Sequence, residues 1–156
     1  MSSQVTLRGL LGLGDGPAPL QDSALIMIDC QGSPYDVTAE IGQISDEVAP
    51  VAGEPVIVKN YPSSFFQTDL GAQLDKTGRH DLVLAGFMTH MCVNSTARDA
   101  FNLGYRPTVV ASATTTRELP VSGGAPVPAT TLQTATLAGI ADLFAVVAGT
   151  TDDLRG

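Results

Sequence analysis

Short runs of apolar, mostly branched residues alternate along this chain with longer segments of mixed character. The runs cover residues 24–28, 55–58, 82–85, 107–111 and 143–147. Strands without polar alternation are typical of a sheet that is covered on both faces, and such sheets are mostly parallel. The pattern therefore predicts a doubly wound α/β fold, in which a mostly parallel sheet is flanked by helices in a three-layer α/β/α arrangement.

The segments between the runs predict the helices of the outer layers, at residues 39–48, 64–76, 91–103 and 129–141. The third helix is the clearest, because Gly104 follows it as a C-terminal stop before the next strand. Residues 118–128 contain three prolines and two glycines and are predicted to form a surface loop. Residues 1–22 are expected either to wrap the outside of a single domain that spans residues 1–156 or to stay partly loose.

Composition excludes several classes of function. The chain has 156 residues, 44% of them hydrophobic, which suits one domain with a substantial core. A net charge of -8 disfavours nucleic acid and anionic lipid as partners. The short apolar stretch at residues 10–13 predicts neither a signal peptide nor a membrane span, so we expect a cytoplasmic protein.

Cysteine and histidine usage predicts a site without a metal or another cofactor. The two cysteines, Cys30 and Cys92, lie in separate apolar segments and form neither a disulfide framework nor a paired metal-binding spacing. The two histidines, His80 and His90, form no HxxxH pattern. The expected partner is therefore a small-molecule substrate.

Three reactive side chains follow successive apolar runs. Asp29 ends the first run, Lys59 ends the second, and Cys92 lies in the turn that leads from the third run into a helix. Ligands of open parallel sheets bind beyond the carboxyl ends of the strands, so the three groups are predicted to converge there. A thiol near a helix N-terminus and a lysine is expected to favour its thiolate, with Asp29 as the base. Backbone N–H groups of the turn would stabilise an oxyanion, which completes a site for acyl transfer.

Each of these residues also has a simpler interpretation. Taken alone, Cys92 would be a buried structural residue, Asp29 a turn residue and Lys59 a solvated strand end, so the functional hypothesis depends on their coincidence. Cys30 is interpreted as structural. His90 is an alternative base, but two positions before Cys92 it is expected to face away from the thiol.

The segments around these residues resemble the isochorismatase-like cysteine hydrolases, a family that includes nicotinamidases, N-carbamoylsarcosine amidase and ureido- or biuret-type amidohydrolases. The resemblance covers ALIMIDCQ at residues 24–31, GEPVIVK at 53–59, SFFQTDL at 64–70 and LAGFMTHMCVNSTA at 84–97, continuing as RDAFNLGY at 98–105. It implies an α/β/α fold, a hydrolytic activity and a defined set of site residues.

The resemblance also implies the role of each site residue. Cys92 would be the nucleophile, Asp29 the base and Lys59 the support of both. The backbone N–H groups of Met88 and Cys92 would form the oxyanion hole, with a cis peptide bond between Phe87 and Met88. The expected substrate contacts are Gln31, Phe65, Phe87 and Thr89, with Phe66 and Met88 as further candidates for an apolar pocket wall.

One part of the family pattern is absent. The family has a helix and a strand between the position of Gln31 and a segment like GSPYD, which here follows at once at residues 32–36. A β-α unit of roughly 30 to 45 residues is therefore expected to be missing, and with it the metal ligands of nicotinamidases. The strand that ends at Lys59 must then either move beside the first strand or leave a vacancy that another chain fills. An exposed strand edge favours a homodimer or a higher homo-oligomer.

The function expected from these observations is hydrolysis of an amide or another C–N bond of a small molecule through a thioester acyl-enzyme. Two alternatives remain open from the sequence. One is vinyl ether hydrolysis of the isochorismatase type, for which the position of Cys92 need not be cysteine. The other is a non-catalytic oligomerising scaffold, in which Cys92 would be unreactive.

Overall fold

The computed structural model describes residues 5–31 and 43–154. In these ranges the chain forms a four-stranded parallel sheet in the order β1-β2-β3-β4. The strands are β1 (Ala24–Ile28), β2 (Asp81–Phe87), β3 (Arg106–Thr115) and β4 (Val146–Ala148). The predicted parallel α/β architecture is therefore confirmed.

In the described residues four α-helices accompany this sheet, and a π-helical turn leads into the third. They are α1 (Leu7–Leu10), α2 (Leu70–Thr77), α3 (Asn94–Asn102, after the turn Thr89–Val93) and α4 (Ala129–Ala141). Short 3-10 turns occupy Leu20–Asp22, Asp46–Val48 and Thr151–Leu154. Within the described ranges no helix has both the length and the apolar character needed to cross a membrane.

The middle strands supply the centre of the core on both faces of the sheet. Leu82 and Leu84 lie in a cluster with side chains of α3 and α4, whereas Val83 lies in a second cluster with Val110 and Leu154. Alternate residues of a strand point to opposite faces, so the two clusters lie on the two sides of the sheet. Burial on both faces explains why the run at 82–85 in β2 contains no polar residue.

Most of the predicted elements agree with the structure. The predicted strand 24–28 coincides with β1, and the predicted helix 129–141 coincides with α4. The apolar runs 82–85 and 107–111 lie inside the longer strands β2 and β3. The strand predicted at 143–147 begins later, at Val146, as β4. The backbone N–H groups of Leu143 and Phe144 both donate to the carbonyl of Ile140, so these residues close the end of α4 instead.

The run 55–58 does not form the predicted strand. No sheet pairing includes it, and Val58 is 81% exposed. In the part of the chain that the structure describes, β1 pairs with β2 alone, and Leu25 and Met27 of β1 are exposed. Of the two arrangements expected from the absent β-α unit, the described residues thus show the vacancy beside β1.

Two predicted helices also differ from the structure. Of the helix predicted at 39–48, residues 39–42 lie outside the described ranges, and the remainder contains only the 3-10 turn Asp46–Val48. The helix predicted at 64–76 begins at Leu70, because Gln67 has a positive φ of 55° that interrupts a right-handed helix. It ends where Gly78 adopts the left-handed conformation typical of helix C-termini.

The N-terminal segment is fixed to the far end of α4. The N–H of Leu7 donates to Asp142 Oδ1 at 3.0 Å, and the N–H of Arg8 donates to the Asp142 carbonyl at 2.8 Å. The buried guanidinium of Arg8 donates to the Leu143 carbonyl at 3.1 Å. These bonds hold the segment against the outside of the domain.

Candidate active site

A close approach between β1 and β2 sets the position of Asp29. Ile28 is opposite Gly86 in the parallel register, and a Cβ at Gly86 would lie 2.0 Å from the Ile28 carbonyl oxygen. Gly86 also has a φ of 120°, so no other residue suits this position. Asp29 follows directly with a φ of 48°, a left-handed conformation that aspartate tolerates better than most residues.

The turn after β2 sets the position of Cys92. The peptide bond between Phe87 and Met88 is cis, as the resemblance implied. The chain then enters the π-helical turn, in which Cys92 is 7% exposed and its neighbour Val93 is fully buried. Ala97 of α3 is fully buried as well. Packing of the residues that follow the nucleophile candidate therefore helps to fix its backbone.

The structure brings Asp29, Lys59 and Cys92 together. Lys59 Nζ lies 2.9 Å from Asp29 Oδ2 and donates to Cys92 Sγ at 3.5 Å. Asp29 Oδ2 lacks a well-aligned hydrogen bond within the described residues, so its contact with Lys59 is an ion pair rather than a directed bond. The ammonium also donates to the Tyr61 carbonyl at 3.2 Å. One cation thus contacts both a carboxylate and a thiol at the carboxyl edge of the sheet.

The expectation of a resting thiolate at Cys92 is wrong. Burial raises the pKa of the Cys92 thiol to about 11, and the hydrogen bond and negative charge of Asp29 add to this effect. Lys59 acts in the opposite direction and is outweighed. The thiol is therefore protonated at neutral pH and donates its proton toward Asp29.

Cys30 has the environment of a structural residue. It is half-buried, and its Sγ donates to the Ile28 carbonyl at 3.7 Å. Burial and the charge of Asp29 raise the pKa of the Cys30 thiol. Its contact partner is thus main chain, in agreement with the structural interpretation.

The expected substrate contacts fall into two groups. Thr89 is fully buried, and Phe65 packs against the core and stacks on Tyr105, which directly precedes β3 at its amino end. The side chains of Thr89 and Phe65 thus lie in or against the core, and their contact with a substrate stays a prediction. Phe87 is exposed beside the Cys92 turn, and Gln31 forms a β-bridge with Ile44.

The sequence analysis missed the contribution of β3 to this edge of the sheet. His90 Nδ1 is hydrogen-bonded to Thr116 Oγ1. Burial, and secondarily the positive charge of Arg117, lower the pKa of His90, so its ring is neutral at pH 7. The predicted third strand ended at Ala111, whereas β3 continues to Thr115. A longer predicted strand would have placed Thr116 beside the turn that carries His90 and Cys92.

No metal centre is assigned. Among the described residues no group of three or more histidine, cysteine, aspartate or glutamate side chains is arranged to hold an ion.

An open groove of about 370 Å³ is lined by Tyr61, Phe66 and Arg98 among others. Because its lining includes none of Asp29, Lys59 and Cys92, the reacting groups are not in this groove.

The fold and the site together define an isochorismatase-like protein. The family model described as the isochorismatase domain matches residues 38–152, and the chain belongs to this family. A crystal structure of an isochorismatase from Pseudomonas putida KT2440 superposes with a TM-score of 0.89 at 30% identity, covering 96% of this chain and 99% of that one. The predicted family and fold are both confirmed.

Among curated relatives, the secreted isochorismatase effector Isc1 of Verticillium dahliae is 28% identical and covers 94% of this chain and 98% of its own. That alignment spans 191 residues against the 156 of this chain, so at least 35 of its positions have no counterpart here. This excess is the size expected for the absent β-α unit.

Two amidohydrolases match a shorter part of the chain. The ureidoacrylate amidohydrolase RutB of Serratia proteamaculans is 46% identical over 69 residues, which are 44% of this chain and 28% of RutB. The maleamate amidohydrolase of Pseudomonas putida is 45% identical over 65 residues, 42% of this chain and 30% of that enzyme. The matched part thus spans less than a third of either enzyme.

Proposed function

We propose that this protein is a cysteine hydrolase that cleaves an amide or a related C–N bond of a small molecule through a thioester acyl-enzyme. The observation that carries the proposal is the position of Lys59 Nζ, 2.9 Å from Asp29 Oδ2 and 3.5 Å from Cys92 Sγ. The predicted class, a hydrolase, is confirmed by the family match and by the named amidohydrolases among the relatives.

In the first half of the reaction, Asp29 accepts the thiol proton while Cys92 Sγ attacks the substrate carbonyl carbon. The carbonyl π electrons move to oxygen, and the N–H groups of Met88 and Cys92 are the proposed donors to this oxyanion. When the oxyanion reforms the carbonyl, the C–N bond breaks. The leaving nitrogen takes the proton from Asp29, and a thioester on Cys92 remains.

In the second half, water replaces the amine. Asp29 accepts a proton from water as its oxygen attacks the thioester carbonyl. The C–S bond then breaks, the sulfur recovers a proton from Asp29, and the product leaves as a carboxylic acid. Lys59 stabilises the negative charge on Asp29 in the resting site and the negative charge on sulfur during attack and departure.

The raised thiol pKa makes a neighbouring base necessary. With the pKa at about 11, on the order of one site in ten thousand holds a thiolate at pH 7. A preformed thiolate would therefore contribute little, whereas transfer of the proton to Asp29 during attack avoids this penalty. The half-buried carboxylate beside the thiol serves this purpose.

Vinyl ether hydrolysis is the second candidate. The relatives that cover nearly the whole chain are named isochorismatases, whereas the amidohydrolases match less than half of it. The two reactions differ in their need for sulfur: acyl transfer requires Cys92, whereas vinyl ether hydrolysis requires Asp29 and Lys59 but no thiol.

The test is a screen of small amides and of isochorismate with the unaltered protein and with Cys92→Ala, and Cys30→Ser is the control. We expect hydrolysis of an amide, a covalent acyl adduct on the Cys92 peptide by mass spectrometry, and at least about a thousandfold loss in Cys92→Ala. Cys30→Ser should keep activity within a few-fold. Isochorismate turnover that survives Cys92→Ala would establish the vinyl ether alternative. Absence of turnover together with an inert Cys92 would establish the scaffold alternative.

A further inference from the structure

A cleft lies at the amino edge of the sheet, opposite the edge that holds the reacting groups. Its lining includes Asp81, Arg106 and Val146, which are the first residues of β2, β3 and β4. Because the four described strands are parallel, their first residues share one edge of the sheet, whereas Asp29 and Cys92 follow strands at the other edge. This amino-edge cleft is therefore separate from the candidate active site.

Two parts of the chain form the amino-edge cleft. The N-terminal segment contributes Arg8 and several residues between Leu13 and Pro19, and the domain contributes the strand ends together with Phe101 of α3. The cleft has a volume of about 480 Å³, which lies in the range of small-molecule sites. Leu13, Phe101 and Val146 supply apolar contact surface. The cleft thus has room for a small organic molecule with an apolar body.

Arg8 brings an incompletely bonded cation into this cleft. The residue is 8% exposed, and its guanidinium donates to the Leu143 carbonyl at 3.1 Å and to the Gly14 carbonyl at 2.7 Å. These bonds use two of the five N–H groups of the guanidinium. Its Nε is buried and has no hydrogen-bond partner among the described residues. A buried donor without an acceptor costs free energy, so a ligand that supplies an acceptor is favoured here.

The charge of Arg8 is not compensated within the described ranges. The ion pairs found there join Lys59 to Asp29 and Arg106 to Asp81. Asp81 binds Arg106 through both of its carboxylate oxygens, at 2.8 and 2.6 Å, so this pair adds no net charge to the cleft. One uncompensated cation therefore remains, and a buried cation favours an anionic ligand.

We propose that the amino-edge cleft binds a small organic monocarboxylate, with its carboxylate at Arg8 and its apolar body beside Phe101 and Val146. A single cation matches a single negative charge, and the unused N–H groups of the guanidinium suit carboxylate oxygens. A phosphate dianion would need a second free cation, whereas Arg106 is already bound by Asp81. Because the cleft is separate from the reacting groups, this binding does not depend on the proposed C–N hydrolysis.

Titration with benzoate and with its neutral isostere benzamide, at constant ionic strength, tests this inference. NMR chemical shifts of the backbone amides of Gly14, Gly104 and Val146, which line the cleft, report the binding locally. We expect saturable shifts with benzoate and binding of benzamide at least about tenfold weaker. Equal affinities for the two probes, tighter binding of inorganic phosphate, or shifts confined to the turn of Cys92 would each overturn the inference.

Two variants shift the charge of the cleft in opposite directions. Arg8→Met removes the cation, and we expect a loss of about tenfold or more in benzoate affinity. Since Arg8 also holds the N-terminal segment, Asp81→Asn is measured beside it. That substitution leaves the bonds of Arg8 in place and frees Arg106, so benzoate affinity should rise about threefold. A loss in Arg8→Met without a gain in Asp81→Asn would count against the inference, because release of the segment alone would explain it.

Arg117→Gln is the matched control for charge. It removes the same unit charge from an exposed residue that follows β3 at the carboxyl edge of the sheet. Benzoate affinity at the cleft should stay within about twofold of that of the unaltered protein. Equal losses in Arg117→Gln and Arg8→Met would show a response to net charge rather than to the cleft, and would overturn the inference.

Discussion

The two segments that meet at the site are held in very different ways. The segment from β2 to α3 lies in the core, with Leu84 and Val93 fully buried on either side of the turn to Cys92. The segment that ends at Lys59 has no strand partner in the described ranges, and Val58 is 81% exposed. The nucleophile is thus placed by packing. The segment of the cation packs against the core through Ile57, and Lys59 itself is held by its contacts with Asp29, Cys92 and Tyr61.

The largest effect is expected where packing is tightest. Gly86→Ala places a Cβ 2.0 Å from the Ile28 carbonyl oxygen, at a φ of 120°. Both strain and steric overlap oppose folding, so we expect a loss of about 4 kcal/mol or more in the free energy of unfolding, measured by urea denaturation.

Gly139→Ala is the control for this substitution. Gly139 lies inside α4 with open space on the side where a Cβ would project, and alanine there should leave stability unchanged or raise it by about 0.5–1 kcal/mol. A Gly86→Ala protein as stable as Gly139→Ala would show that β1 and β2 separate easily. The position of Asp29 would then not be fixed by the core.

An effect of intermediate size is expected when the buried run at 82–85 is compared with the exposed run at 55–58. Leu84→Ala removes a fully buried side chain from β2, and we expect a loss of about 3 kcal/mol in the free energy of unfolding. Val58→Ala removes an exposed side chain, and we expect a change within about 0.5 kcal/mol. Both values come from urea denaturation under the same conditions.

A loss at Val58 close to that at Leu84 would contradict the comparison. It would mean that Val58 is buried in solution, as it would be if another chain occupied the vacancy beside β1. Repeating the Val58→Ala measurement at several protein concentrations would separate that case, because burial between chains makes stability depend on concentration.

The same contrast explains which parts of the fold could be predicted from the sequence. The runs at 82–85 and 107–111 lie between neighbouring strands, so their apolar character reports burial correctly. The run at 55–58 is equally apolar, but a strand needs a partner, and no local pattern shows that the partner is absent. The pattern also missed the extension of β3 to Thr115, because small and polar residues fill its last positions.

For the site, the sequence predicted which residues meet but not the protonation state of the thiol. Convergence of Asp29 and Cys92 followed from their positions after two neighbouring strands, whereas Lys59 reaches the same edge although the run before it forms no strand. The protonation of Cys92 did not follow, because it depends on how burial and Asp29 together outweigh Lys59. Only the three-dimensional arrangement shows that balance.

The smallest effect concerns the opposing charges on the thiol. Below pH 11, the rate at which iodoacetamide labels Cys92 should rise with pH without reaching a plateau, because the pKa of the thiol is about 11. Replacing Asp29 by Asn removes a cause of the raised pKa, so labelling at about pH 8 should become faster. Lys59→Met removes the group that lowers the pKa, so labelling should become slower, and we expect changes of about tenfold or less in each direction.

Lys76→Met, which alters an exposed charge in the last turn of α2, is the control and should leave the labelling rate unchanged. Equal rates in the unaltered protein and all three variants would show that Lys59 does not reach the thiol in solution, and the loosely held segment would then be the reason.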